Sequence, residues 1–194
     1  MVAGVNSRAA NLAQRFNLSA DEPPTLPAGR NNVGKQFKGS YSISRATYDH
    51  CAGILECLGL AFAPYRESYT PEAFLDTVLT PETFRSRLAE MSVFVATDAS
   101  GQVVGTIACK VLQGGEGHLR GMAVRPEWQG SGVSSCLLER AEDELRKAGC
   151  KTITLDTTEP LKRAVGFYEK NGFRPTGKIE RFFGMPLFEY SKSI

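Results

Sequence analysis

The stretch Arg125-Pro126-Glu127-Trp128-Gln129-Gly130-Ser131-Gly132-Val133-Ser134-Ser135 sets two glycines and three small hydroxyls where a strand is expected to hand over to a helix. Gly130 and Gly132 let the backbone turn tightly and keep side chains clear of the helix entrance, and the free N–H groups and dipole there suit a phosphate or pyrophosphate. The same residues also describe an ordinary glycine turn. They do not make a Walker loop, because no Gly-Lys-Ser/Thr follows. A dinucleotide fingerprint fails at Ser135, although Asp156 ends the next expected strand about where a ribose-binding acid would lie.

The elements that must position this turn follow from periodicity and punctuation. Tyr41 and Ile43 suggest a first strand, and residues from Ala46 to Phe62 a helix. Thr70-Pro71-Glu72 and Thr80-Pro81-Glu82 each read as an N-cap with proline at the first helical position. Ser92 to Thr97 and Gln102 to Leu112, joined by Asp98-Ala99-Ser100-Gly101, predict an antiparallel hairpin, and His118 to Val124 a third run. Over 132–148 the residues Val133, Leu137, Ala141, Leu145 and Ala148 form an apolar stripe, with Glu139, Glu142 and Asp143 mostly on other faces and Gly149 as the stop. A strand over Thr152 to Leu155, a helix from Leu161 to Asn171 and two final strands between Phe173 and Tyr190 complete the pattern. This predicts a single mixed α/β domain, antiparallel early and with one β-α-β crossover late.

Composition sets bounds. The chain has 194 residues, 42% of them hydrophobic, and a formal net charge of +2. It is large enough to bury a core without staples, and near-neutrality argues against a nucleic-acid binder driven by phosphate contacts. No apolar stretch approaches the length of a membrane span. Five scattered cysteines, Cys51, Cys57, Cys109, Cys136 and Cys150, and two distant histidines, His50 and His118, predict no disulfide framework and no metal site. A reducing cytoplasm is the expected location. The first 39 residues, with Pro23, Pro24 and Pro27 and five basic against two acidic side chains, read as an arm or linker, with a transit peptide as the alternative. Residues 40–194, the expected domain, carry 18 basic and 19 acidic side chains.

The run from Gln129 to Ser134, preceded by Met122-Ala123-Val124-Arg125-Pro126, resembles the acetyl-coenzyme A motif of the GNAT superfamily of N-acetyltransferases, Q/R-x-x-G-x-G/A, with Ser134 in place of the last small residue. A second family motif is similar to Ala164-Val165-Gly166-Phe167-Tyr168-Glu169-Lys170-Asn171-Gly172-Phe173. The resemblance covers roughly residues 40–194. It implies a mostly antiparallel, twisted central sheet flanked by helices, and acetyl transfer from acetyl-coenzyme A, without a metal, to a primary amine, a small molecule before a peptide or protein N-terminus. A non-catalytic acyl-coenzyme A sensor is the alternative from another class. A homodimer is compatible with either.

By that resemblance the amides of Gly130, Ser131, Gly132, Val133, Ser134 and Ser135 would hold the pyrophosphate, with Gln129 as the first cofactor-binding residue of the motif. Met122, Ala123 and Val124 would pair with the pantetheine arm as a short extra strand. Arg125, Lys162 and Arg163 could meet the remaining phosphate. An asparagine that many relatives place seven residues before the tyrosine is replaced by Leu161. Transfer needs a neutral amine, a polarised thioester and a proton for the departing thiolate. Tyr168 is the expected acid, and Glu116, His118 and Asp156 are the candidate bases. The acceptor is expected between Phe62 to Tyr69 and Arg181 to Met185, with Tyr65, Tyr69, Phe182 and Phe183 as aromatic walls.

Overall fold

Each of the two Thr-Pro steps starts a helix as its residue types require. The Thr70 and Thr80 hydroxyls accept from the amides of Ala73 and Thr83, each at 3.3 Å, and Pro71 and Pro81 occupy first-turn positions that have no amide to satisfy. The computed structural model describes residues 39–194; the arm expected over residues 1–39 lies, but for Gly39, outside them.

In chain order the elements are β1 (Tyr41–Arg45), α1 (Cys51–Phe62), α2 (Pro71–Val78), α3 (Pro81–Glu90), β2 (Ser92–Asp98), β3 (Val103–Val111), β4 (Gly117–Val124), α4 (Val133–Lys147), β5 (Thr152–Thr157), α5 (Lys162–Lys170), β6 (Arg174–Phe182) and β7 (Met185–Ser193). The strands form one sheet in the order β1-β2-β3-β4-β5-β7-β6. Only β4 and β5 pair in parallel, and α4 is their crossover.

Alternation along β2 shows how the sheet divides the core. Phe94 and Ala96 join the cluster under α4, which includes Ile107, Leu137, Leu145 and Phe173; Val93 and Val95 join the opposite cluster with Ile54, Leu58 and Phe84 of α1 and α3. The mixed α/β fold is therefore a sheet covered on both faces.

Three expectations change in detail. The first helix starts later than Ala46, because the Ala46 amide still bonds the Val93 carbonyl at 2.8 Å; a short 3-10 turn, Tyr48–His50, then leads into α1. The strand expected to end at Leu155 continues to Thr157, so Asp156 lies inside β5 and opposite Glu189 of β7. Glu142, expected off the apolar face of α4, is only 6% exposed. Lys192 at 2.6 Å and Arg146 at 2.9 Å neutralise its carboxylate. The five cysteines are all free, and four are buried.

Candidate active site

The site begins with a glycine inside a strand. Between β3 and β4 the register shifts, so that Gly121 and Met122 oppose the single residue Ile107. Gly121 has φ +63°, as the residue of a bulge commonly does. On its other edge β4 pairs with β5 only through Gly117, His118 and Leu119. Beyond Leu119 the two strands have no pairing, which leaves the β5-facing edge of Met122, Ala123 and Val124 open to an added extended segment. Thr157, on the matching part of β5, is 4% exposed and its hydroxyl has no partner among the described residues.

At the end of β4 the chain makes a 3-10 turn, Pro126–Trp128, and enters α4 through Gly130 at φ +83° and Gly132 at φ +95°. Among the described residues the amides of Gly130, Gly132, Val133 and Ser134 meet no acceptor. Ser131 and Ser135 differ from the expectation. Their amides are taken by the Trp128 and Gly132 carbonyls at 3.3 and 3.1 Å, so the set of free donors is narrower than residues 130–135. The Val133 side chain is fully buried in the core and only its amide is available. Gln129 acts through its side chain: its amide nitrogen donates to the Val124 carbonyl at 3.2 Å, and its oxygen accepts from Arg163. Four amides at the positive end of a 15-residue helix, beside Lys162 and Arg163, can receive a pyrophosphate.

Arg125 does not belong to that set. It is 4% exposed, donates from Nε to the Val103 carbonyl at 2.7 Å, and pairs with Glu56 at 2.6 Å. It fixes the end of β4 against the α1 face of the sheet.

One cavity of about 1030 Å³ runs from this entrance past the β4–β5 gap. Of the expected residues it brings together His118, Met122, Ala123, Val124, Gln129, Gly130, Ser134 and Tyr168; Glu116, Ser131, Gly132, Val133 and Ser135 do not line it. Leu161, where the asparagine was missing, does. Tyr168 packs its ring edge-on against both Phe167 and Phe173, with centroids at 5.5 and 5.6 Å. Its hydroxyl meets Met122 Sδ at 3.5 Å, and burial pushes it above the ordinary phenol range, so it stays protonated.

His118 and Asp156 face each other across the parallel pair, Nε2 to Oδ2 at 3.8 Å. The Thr154 hydroxyl lies 3.1 Å from His118 Nδ1 and reaches Glu116 Oε1 at 3.1 Å and the Gly117 carbonyl at 3.3 Å. The hydroxyl thus links His118 Nδ1 to Glu116, and Nε2 faces Asp156 and the cavity. Burial, with Lys110 and Arg120 near, lowers His118 to about 4; it is neutral at pH 7. Burial and the nearby Glu189 and Glu180 raise Asp156.

The far end is aromatic, as expected, for Phe62, Tyr65, Tyr69 and Phe182 line it. The Tyr69 hydroxyl is held by Thr158 at 2.6 Å. Phe183 is the exception. It sits in the β6–β7 turn with φ +47°, is 51% exposed, and is no wall of the cavity. The sequence reading missed Asp76, Arg87 and Arg120, which also line this end. Asp76 pairs with Arg120. Arg87 lies against Gly121, where a Cβ would come within 2.5 Å of its Nη1. The visible signal was Gly121, a glycine in a strand pattern, which marks a bulge or a close approach.

Among the described residues no group of three or more His, Cys, Asp and Glu could hold a metal, and no helix is long and apolar enough to cross a membrane. The Acetyltransferase (GNAT) family profile matches residues 55–173. An aminoglycoside N(6')-acetyltransferase type 1 from Stenotrophomonas maltophilia is 33% identical over 135 residues, which is 66% of this chain and 86% of that protein. The fold is similar to that of a PaiA N-acetyltransferase from Thermoplasma acidophilum in complex with coenzyme A, with a TM-score of 0.66 and 20% identity over 80% of this chain and 99% of that one. It is likewise similar to the ribosomal-protein-S18-alanine N-acetyltransferase from Escherichia coli, with a TM-score of 0.64 and 23% identity over 80% and 94% of the two chains.

Proposed function

Because this chain belongs to the GNAT family of acetyltransferases, we propose that it moves an acetyl group from acetyl-coenzyme A directly to a primary amine of a small molecule. The observation that carries this reading is a cavity that starts at Gly130 and Ser134, beside the free amides of the helix entrance, and runs to an aromatic end, with Tyr168, His118 and Asp156 between them. The pyrophosphate would sit on the amides of Gly130, Gly132, Val133 and Ser134, with Lys162 and Arg163 beside it. The arm would lie along Met122, Ala123 and Val124 in the β4–β5 gap, where the unpartnered Thr157 hydroxyl is one further group for it to bond.

The incoming ammonium must first lose a proton. His118 Nε2, held neutral, and Asp156, raised by burial, both face the cavity and are the pair we assign to this step; Glu116 acts behind them, orienting His118 through Thr154. The amine nitrogen then bonds the acetyl carbon while the carbon–sulfur bond breaks. The nitrogen gives up its second proton, and coenzyme A leaves as the thiol. Tyr168 supplies the hydrogen bond that the departing sulfur needs. Since its own pKa exceeds that of an ordinary thiol, about 8.5, full proton transfer from it is uphill and is completed by the proton the amine releases.

The aromatic walls on several sides of the acceptor end, and the aminoglycoside-modifying relative, support a small acceptor over a protein N-terminus. The test is thiol release from acetyl-coenzyme A across a panel of small amines and N-terminal peptides, with calorimetric titration of coenzyme A beside it. Turnover on small amines is expected. Binding without release on any amine would overturn the transfer reading, and release confined to peptides would overturn the small acceptor.

A further inference from the structure

Arg87 lines the acceptor end of the cavity, yet among the described residues its guanidinium makes no hydrogen bond and no ion pair. Its neighbours offset it only in part: Arg120 adds a second positive charge, and Asp76, whose charge favours the guanidinium, is bonded to Arg120 and not to Arg87. The guanidinium is brought there by construction. It projects from α3 onto the bulge at Gly121, where the missing side chain leaves room for Nη1. Burial and Arg120 lower Arg87 to about 10, so it is still charged at pH 7. A largely buried cation with five donors and no acceptor asks for an anion, and a planar guanidinium matches a carboxylate with two parallel hydrogen bonds.

We propose that the acceptor is a primary amine that also carries a carboxylate, and that Arg87, supported by Arg120, binds this carboxylate and sets the acceptor class. The inference rests on the acetyl-transfer reading above and narrows its substrate. On it, His118 and Asp156 receive the ammonium end while Arg87 receives the other, and a polycation meets two guanidiniums against the single carboxylate of Asp76 there.

The experiment uses the full chain and matched acceptors: glycine and its longer ω-amino acid homologues up to 6-aminohexanoate, each beside its carboxamide, with spermidine and an aminoglycoside as polycations. Thiol release gives kcat and KM for each, and the same compounds are titrated calorimetrically onto the protein loaded with coenzyme A. At least one acid is expected to exceed its amide by tenfold or more in kcat/KM and in affinity. Arg87→Met should raise KM for that acid about 30-fold, leave its kcat and the amide's constants within about twofold, and leave coenzyme A affinity unchanged; Arg87→Lys should keep part of the preference. Amides or polycations handled as well as acids by the unaltered protein would overturn the inference while leaving acetyl transfer standing, and that comparison needs no variant to fold. Acid preference surviving in Arg87→Met would overturn the role of Arg87. Acid-selective binding lost in Arg87→Met but without thiol release would sustain the inference and overturn transfer; neither release nor acid-selective binding would overturn both.

Discussion

The helix entrance offers main-chain groups, four amides from Gly130, Gly132, Val133 and Ser134 within one five-residue stretch. The opposite end of the cavity offers side chains, and Phe62, Asp76, Arg87, Arg120, Asp156 and Phe182 come from six different elements. A main-chain receptor depends on φ angles and on the absence of side chains, so many sequences can build it but few single substitutions are neutral at its glycines. A side-chain receptor depends on which residues six elements present, so its ligand can change while the backbone stays as it is. The first end suits a ligand common to a family, and the second suits one that differs from member to member.

The hardest blow to that contrast is Gly132→Glu. Only the Tyr41 hydroxyl lies near a Cβ there, at 3.6 Å, so the fold should survive, although φ +95° costs about 1 kcal/mol for a side chain. A carboxylate about 4 Å from a phosphate charge adds on the order of 4 kcal/mol at a surface-like dielectric. Coenzyme A affinity should fall more than about 100-fold by calorimetry, and normal affinity would remove the amide cradle. Tyr168→Phe comes next. It deletes one hydroxyl whose hydrogen-bond partner among the described residues is Met122 Sδ, so kcat should fall about 100-fold with coenzyme A affinity unchanged; an undiminished kcat would take Tyr168 out of the chemistry.

The smallest effect is a titration at His118, between the two ends. His118 has a pKa of about 4 in the folded chain against 6.5 when free, so the unfolded chain binds this proton first. Its contribution to stability is complete above about pH 6.5 and is lost as pH falls toward 4, amounting to about 2 kcal/mol at pH 5. In denaturant titrations at pH 7 and pH 5, His118→Gln should lose about that much less than the unaltered protein. Equal losses would mean that His118 is not buried neutral.

Legibility in the sequence followed the same division. The amide end was readable because its determinants are neighbours: two glycines, small residues after them, and the stripe from Val133 to Leu145 fix turn, helix and dipole together. The Thr-Pro caps and the hairpin of β2 and β3 were local in the same way. The acceptor end was readable only for its aromatics. Arg87 looks like any charge on a helix until the sheet brings Gly121 beneath it, and Arg125 looks like a phosphate ligand until Glu56, far back in α1, claims it. Glu142 could be placed inside only by knowing that Lys192 would reach it from β7. Each of these pairs depends on strand register and on which helix covers which face, quantities that no short stretch encodes.

The order β5-β7-β6 bears on how the molecule is made. Because β7 lies between β5 and β6, β6 leaves the ribosome before β7, its pairing strand among the described residues, and it must wait as an unattached segment while most of the sheet can already assemble. The acceptor end, which needs Phe182 from β6 and Leu187 from β7, is thus completed last during synthesis, after the glycine entrance of α4 is in place. A nascent chain stalled before β7 would present the phosphate receptor without the pocket that gives it a substrate.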